Sequence, residues 1–310
     1  MQAELSWFFV VGAQKSGTTT LYDWLSQSED VALPWSKETH YFSDSELYLK
    51  GNSWYLKQFQ FKRNHRVAGE VDPEYMYFPE CAERIKKFSV NPKLIFLLRD
   101  PLSRAYSNYL MSVRRGYESL SFADALNTEK ERLESGGRFS KIHHGYMERS
   151  LYAKQIKRML TYFPSSSIMI LLFEELFSSQ DSANGALRKV CDFIEVDANK
   201  LSIDVAVIEN QASEPVSTVL RDFVYKQNFL KKLIGRAIPS RVLKIKIMQL
   251  VDKLNMRPIS KNMAERFNEQ KEIPGFVYGA FIDDLKDLQR LVDIDVAGWI
   301  THYEQRQIDG

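Results

Sequence analysis

The chain has 310 residues, of which 44% are hydrophobic and 26% charged, enough to bury one large α/β core with an extension. Its formal net charge of +2 excludes a general nucleic-acid binder, so any anion binding has to come from local clusters. The longest apolar run, Ile168 to Phe173, is strand length against the ~18–20 residues a membrane span needs, so no transmembrane segment is expected. Cys81 and Cys191 lie far apart with no CxxC or Cys/His ligand spacing, which argues against a disulfide framework or zinc site and favours a cytoplasmic protein.

In chain order, Trp7–Val11 reads as a buried strand. It is entered so early that neither a signal peptide nor a membrane anchor is expected ahead of it. Gly12 to Thr19 then forms a glycine-bracketed turn that opens a helix carrying Leu21, Trp24 and Leu25. Unpaired N–H groups at a helix N-terminus point into such a turn and favour an anion, which makes it a phosphate cradle. Gly12 and Gly17 have the spacing of a nucleotide-binding P-loop, but a P-loop lysine directly follows the second glycine. Thr18 stands there, and the lysine, Lys15, lies inside the loop. That weakens a kinase reading.

Three further strands are expected at Arg66–Ala68 continuing to Val71, Lys93–Leu98 and Ser167–Leu172. Helical periodicity lies between them, in Leu102, Ala105, Tyr106 and Tyr109 and again in Leu151, Ile156, Met159 and Leu160. Alternating strands and helices predict an α/β fold: a P-loop-like doubly wound parallel sheet flanked by helices, with ligands at the carboxyl ends of the strands. After about residue 205 the strand signal fades into helices joined by turns at Pro258 and Pro274. Phe281, Leu285, Leu288 and Val292 make a helical stripe, and Asp295 reads as a cap before Val296–Trp299. The expected organisation is a core at 1–205 and a helical C-terminal extension at 206–310 that belongs to the same domain. The run from Lys226 to Lys246 is basic and amphipathic; a solvated face is favoured there over peripheral membrane contact.

Two segments carry a family resemblance. Lys15-Ser16-Gly17-Thr18-Thr19 after a hydrophobic strand resembles the 5′-phosphosulfate loop of sulfotransferases that use 3′-phosphoadenosine 5′-phosphosulfate (PAPS). Arg99-Asp100-Pro101 at a strand end, with Ser107 eight residues after the arginine, resembles that family's 3′-phosphate motif. The two occur in the expected order. The resemblance implies PAPS as co-substrate and no metal, with Lys15 meeting charge on the leaving phosphate. Ser16, Gly17, Thr18 and Thr19 would contact the 5′-phosphate, and Arg99 and Ser107 the 3′-phosphate. Arg99 ends an apolar strand, where a charge is costly unless paired; a salt bridge to Asp100 or Glu70 is the competing explanation. Tyr152, in Ser150-Leu151-Tyr152, looks like a segment near the nucleotide, with core packing equally open.

On the acceptor side, Lys37-Glu38-Thr39-His40-Tyr41-Phe42 resembles a segment of heparan-type glycan sulfotransferases. There the glutamate serves as base toward the acceptor hydroxyl, which places Glu38 in that role and His40 beside it, either orienting Glu38 or touching the acceptor. The related Glu-Lys-x-Pro-x-Tyr pattern appears here as Glu70-Val71-Asp72-Pro73-Glu74-Tyr75, without its lysine. That departure suggests a neutral or cationic acceptor. The tail around Trp299 resembles the lid of bacterial sulfotransferases, and the chain is most similar to the free-standing bacterial type. The expected function is sulfuryl transfer to a hydroxyl, or an amine, of a carbohydrate or secondary metabolite. A P-loop-type kinase and a non-catalytic nucleotide-binding adaptor are the alternatives.

Overall fold

The computed structural model describes residues 5–201, 213–215, 217–225, 250–251, 254–258 and 273–309. The expected strands form one parallel sheet: β1 (Ser6–Gly12), β3 (Val67–Val71), β4 (Lys93–Leu98) and β5 (Ile168–Leu172). A short edge strand that the sequence reading missed, β2 (Val31–Ala32), completes the order β2-β3-β1-β4-β5. Two residues are too few for a periodicity signal; β2 is recognised by its partner, Val31 and Ala32 registering against Val67 and Ala68. From β1 the chain first goes to the edge strand β2 and returns to β3 beside β1, then crosses to β4 and β5 on the other side. The order therefore reverses at β1, and the loop after β1 opens at a topological switch point.

Strand alternation separates two faces. Phe8 and Val10 of β1, Val67 and Val71 of β3 and Ile95 and Leu97 of β4 point into one apolar cluster with helix α1 (Thr18–Leu25). The helix at Gln180–Ile194, not anticipated from the sequence, packs its Leu187, Val190 and Ile194 into the same cluster. Trp7 and Phe9 point the other way, into an aromatic cluster in which Trp7 meets Phe88 at 4.7 Å and Phe9 meets Phe42 at 5.5 Å. Glu70 shares this second face, because it alternates with Val71.

Helix α2 (Pro101–Arg115) follows β4, and α3 (Tyr152–Leu160) precedes β5. The stripe near the C-terminus lies in α4 (Gly275–Leu291), followed by α5 (Ala297–Asp309). Asp295 caps as expected, its Oδ1 accepting from the Ala297 N–H at 3.2 Å. The described residues cluster into two compact units. One compact unit takes the chain up to Arg104, the stretch from Met147 and the stretch from Gly275; the other takes Ala105–Tyr146 and the stretch that ends at Pro274. The C-terminal helices join the sheet because Asp284 of α4 accepts from the Tyr152 N–H at 2.6 Å and the Ala153 N–H at 3.1 Å, capping α3 from a distance. The expectation of helices alone after residue 205 is also corrected, by an antiparallel pair at Ser213–Pro215 and Met256–Pro258. Pro258 thus ends a strand, whereas Pro274 immediately precedes α4. The basic run from Lys226 to Lys246 lies outside the described residues.

Gly69 is required by packing. It registers opposite Phe8, whose ring occupies the space a side chain would need, with Cε1 only 2.3 Å from where a Cβ would stand. Gly69→Ala is expected to lower stability by about 1–3 kcal/mol through overpacking, read as a lower urea midpoint with unchanged slope.

Candidate active site

The loop after β1 is fixed by backbone and side-chain tethers. Ala13 donates its N–H to the Leu97 carbonyl at 2.7 Å, and Met76 donates to the Val11 carbonyl at 2.9 Å. Arg99 Nη1 donates to the Lys15 carbonyl at 3.3 Å and Arg104 Nη1 to the Gln14 carbonyl at 3.4 Å. Gly17 turns the chain at φ 89° into α1, and a Cβ there would stand 2.5 Å from the Phe177 ring. Helix α1 has neither a capping side chain nor an acidic residue in its first turn. Ser16 is fully buried, and its Oγ has no hydrogen-bond partner among the described residues. A buried orphan hydroxyl beside uncapped N–H groups is what an anion would satisfy. Thr18 is buried and Thr19 exposed at this same helix start, while Lys15 is half-buried.

Arg99 is held in place without being neutralised. Its guanidinium lies 4.5 Å from the Phe173 ring centre as well as on the Lys15 carbonyl. Neither carboxylate proposed as its partner fills that role. Asp100 Oδ1 caps α2 by accepting from the Ser103 N–H at 2.7 Å, and its Oδ2 accepts from the Tyr303 hydroxyl. Glu70 is engaged elsewhere. Tyr152 is fully buried and donates its hydroxyl to the Arg99 carbonyl at 2.7 Å, so it supports the arginine from beneath. Burial pushes that phenol's pKa up. Ser107 is half-buried on α2, within the second compact unit.

The segment carrying Glu38 and His40 is clamped onto the end of β3. Glu70, fully buried, accepts from the Thr39 N–H at 2.6 Å and from the hydroxyls of Tyr55 and Tyr75 at 2.8 Å each. Burial, with help from the neighbouring Asp72 charge, raises its pKa to about 7. Asp72, also fully buried, accepts from the His40 N–H at 2.9 Å, and the same Oδ2 lies 3.0 Å from His40 Nδ1. The Asp72 charge raises the His40 pKa to about 10, against a smaller opposing effect of burial. For Asp72 burial pushes upward, yet the His40 cation and its hydrogen bonds prevail and leave the carboxyl below its usual range. Glu38 Oε1 lies 2.6 Å from Lys37 Nζ, and its Oε2 lies 4.0 Å from His40 Nε2.

Glu38, His40 and Asp72 have donor atoms within 4.8 Å of one another, a spacing that fits a metal ion. An imidazolium has no lone pair to offer, so in this arrangement the trio is an ion-pair chain. Lys15 and His40 both have positive φ, 72° and 57°; the one other such non-glycine residue among those described is Glu195, at a helix end. Left-handed backbone in a non-glycine residue persists where surrounding contacts enforce it and clusters at functional sites.

Sequence reasoning missed the supports: Lys37 on Glu38, the Glu70 and Asp72 clamps, and Arg104 under the loop. Two acids spaced i, i+2 at the end of a buried strand were the available signal. Val71 carries a correction. It lies in the apolar cluster with Leu21 and Trp24, so its lack of charge does not report on the acceptor.

Residues 6–228 match the sulfotransferase domain family, and the chain belongs to that family. It is 30% identical over 240 residues to mouse heparan sulfate glucosamine 3-O-sulfotransferase 3B1, covering 74% of this chain and 56% of that one. It is 24% identical over 301 residues to the membrane-associated sulfotransferase kil1 of Dictyostelium discoideum, covering 71% and 63%. The chain spans about half the length of the first curated relatives it matches, as with the 46% of mouse heparan sulfate glucosamine 3-O-sulfotransferase 5. Among solved structures, a sulfotransferase from Alicyclobacillus acidocaldarius shares the fold at a TM-score of 0.63 and 24% identity, covering 94% of this chain and 97% of that one. No helix among the described residues is long and apolar enough to cross a membrane.

The ion pair between Asp72 and His40 sets a pH dependence. A histidine whose folded pKa is raised from 6.5 to about 10 contributes stability that is full below pH ~6.5 and lost as pH rises through ~10. The His40 ring is expected to remain protonated at pH 8 in an NMR titration, and Asp72→Asn to bring its midpoint down toward the ordinary value.

Proposed function

We propose that the protein transfers a sulfuryl group from PAPS to a hydroxyl of a carbohydrate or secondary-metabolite acceptor. The observation that carries this reading is the orphan Ser16 hydroxyl, buried beside uncapped helix N–H groups in a loop whose lysine is internal. PAPS supplies a sulfuryl group activated by its attachment to a phosphate. Ser16, Thr18 and Thr19 with the α1 backbone would hold the 5′-phosphate, and Arg99 with Ser107 the 3′-phosphate. Tyr152 acts through Arg99, whose carbonyl it pins. Lys15, set in left-handed backbone by the tethers on its loop, meets the negative charge that grows on the leaving phosphate. Donors of this kind contribute about 3–4 kcal/mol each to transfer when preorganised.

Glu38 takes the proton from the acceptor hydroxyl. His40 is unsuited to that task near neutral pH because Asp72 keeps it protonated. It instead presents a cation 4.0 Å from Glu38 Oε2, which orients that carboxylate. The loop design needs no metal to neutralise the leaving group, so turnover is expected to survive EDTA. Phosphoryl transfer from ATP, the kinase alternative, requires a bridging metal. The acidic group nearest the 3′-phosphate motif, Asp100, is committed to capping α2 and to Tyr303.

Two measurements test the reading. Adenosine 3′,5′-bisphosphate is expected to bind far more tightly than AMP in calorimetry, with the difference lost in Arg99→Ala; equal affinities in the unaltered protein would remove the 3′-phosphate assignment. Glu38→Gln is expected to lower kcat by ~10²–10⁴-fold while leaving bisphosphate affinity intact, as for loss of a positioned base. Near-native kcat would leave the Glu38 role without support.

A further inference from the structure

An open cavity of about 320 Å³ runs along the β2 edge, in the same compact unit as Glu38. Trp35 forms one wall, and Tyr22, Gln27, Gln60, Lys62 and His65 contribute to the rest. Trp35 is 57% exposed, an unfavourable place for the largest apolar side chain. Its backbone is nevertheless fixed. The Trp35 N–H donates to the Gln58 carbonyl at 2.8 Å, Pro34 bridges to Phe59, and Phe59 packs edge-on against Trp7 at 5.4 Å. Among the described residues the indole stacks on no other ring. His65 Nδ1 accepts from the Lys62 N–H at 3.1 Å, which places the proton of the neutral ring on Nε2 as a free-standing donor. Burial, followed by the Lys62 charge, keeps that ring's pKa low.

From this arrangement we infer that the cavity is an acceptor subsite for one neutral pyranose ring, stacked on Trp35, of an oligosaccharide whose reacting hydroxyl lies at Glu38. The chemistry of the walls selects the class. A sugar ring offers an apolar face to an aromatic plane and a rim of hydroxyls to mixed donors and acceptors. An anionic ring would call for paired arginines, whereas the described lining holds no arginine and carries Glu29 as well as Lys62. The volume sits at the small end of the ~300–1,000 Å³ range of ligand pockets, room for a ring and not for a nucleotide. The three-residue step from Trp35 to Glu38 spans at most ~11 Å, within reach of one chain of a few sugars. This inference rests on the sulfotransferase reading for the position of the reacting hydroxyl, but its binding test does not.

The probes are neutral tetrasaccharides of gluco, galacto, manno and N-acetylglucosamine type, with the corresponding monosaccharides, added to the enzyme saturated with adenosine 3′,5′-bisphosphate. At least one tetrasaccharide is expected to bind by saturation-transfer NMR and calorimetry. Trp35→Ala is expected to weaken it ~10-fold, the size of a lost aromatic stack, with Trp35→Phe restoring most of the affinity. Bisphosphate affinity should not change. With PAPS present, KM for the tetrasaccharide should rise while kcat holds. Failure of every tetrasaccharide to bind, or equal affinity in Trp35→Ala, overturns the subsite. Binding that depends on Trp35 without sulfation of any sugar would retain a sugar site and overturn its link to Glu38. Sulfation with an unchanged KM would keep the sulfotransferase reading and discard the subsite.

Discussion

Two buried carboxylates at the end of β3, Glu70 and Asp72, hold the loop that carries Glu38. Each takes a backbone N–H from the facing loop, Thr39 for Glu70 and His40 for Asp72. Burying such groups is costly unless each oxygen finds partners. Glu70 meets that demand with two tyrosine hydroxyls and Asp72 with the His40 ring. Because the clamped residues flank Glu38 on its C-terminal side, the same contacts that satisfy the strand end also fix where the proposed base stands. The aromatic cluster around Tyr55 and Phe42 is then more than packing, since it walls Glu70 from water.

The phosphate side uses a different device. Its loop is tied through backbone carbonyls, by Arg99 on Lys15 and Arg104 on Gln14. Arg104 is itself fully buried and donates to Ser150 Oγ at 2.5 Å, and Ser150 passes the restraint on to the Pro101 carbonyl at 2.9 Å. Gln14 adds a link at 3.3 Å to Glu74, which Arg149 grips through both oxygens at 3.0 Å. The ends of β1, β3 and β4 are thereby locked to one another. Preorganisation of that kind is what electrostatic stabilisation of a leaving group requires.

The parts legible in the sequence were those in which local pattern and global role coincide. Lys93–Leu98 was readable to the residue because a buried parallel strand is a continuous apolar run. The loop from Gly12 to Thr19 was readable because few residues other than glycine turn the chain so tightly onto a helix start. β2 and the helix at Gln180–Ile194 were not readable. The first is two residues long, and the second buries Ala183, Ala186, Leu187, Val190, Cys191 and Ile194, a stripe that two alanines leave only weakly apolar at its start. Asp284 was invisible as a cap for α3 because 132 residues separate it from Tyr152. Val71 misled for a related reason: a motif position says which residue is present, while the pleat decides which face it occupies.

The two halves of the site also differ in how charge is balanced. Around Glu38 the cations are matched, Lys37 with Glu38 and His40 with Asp72. On the phosphate side Arg99 is oriented by a carbonyl and an aromatic face, contacts that fix a guanidinium without cancelling its charge. A chain of net charge +2 can thus keep positive potential where phosphates would lie and near neutrality a few residues away.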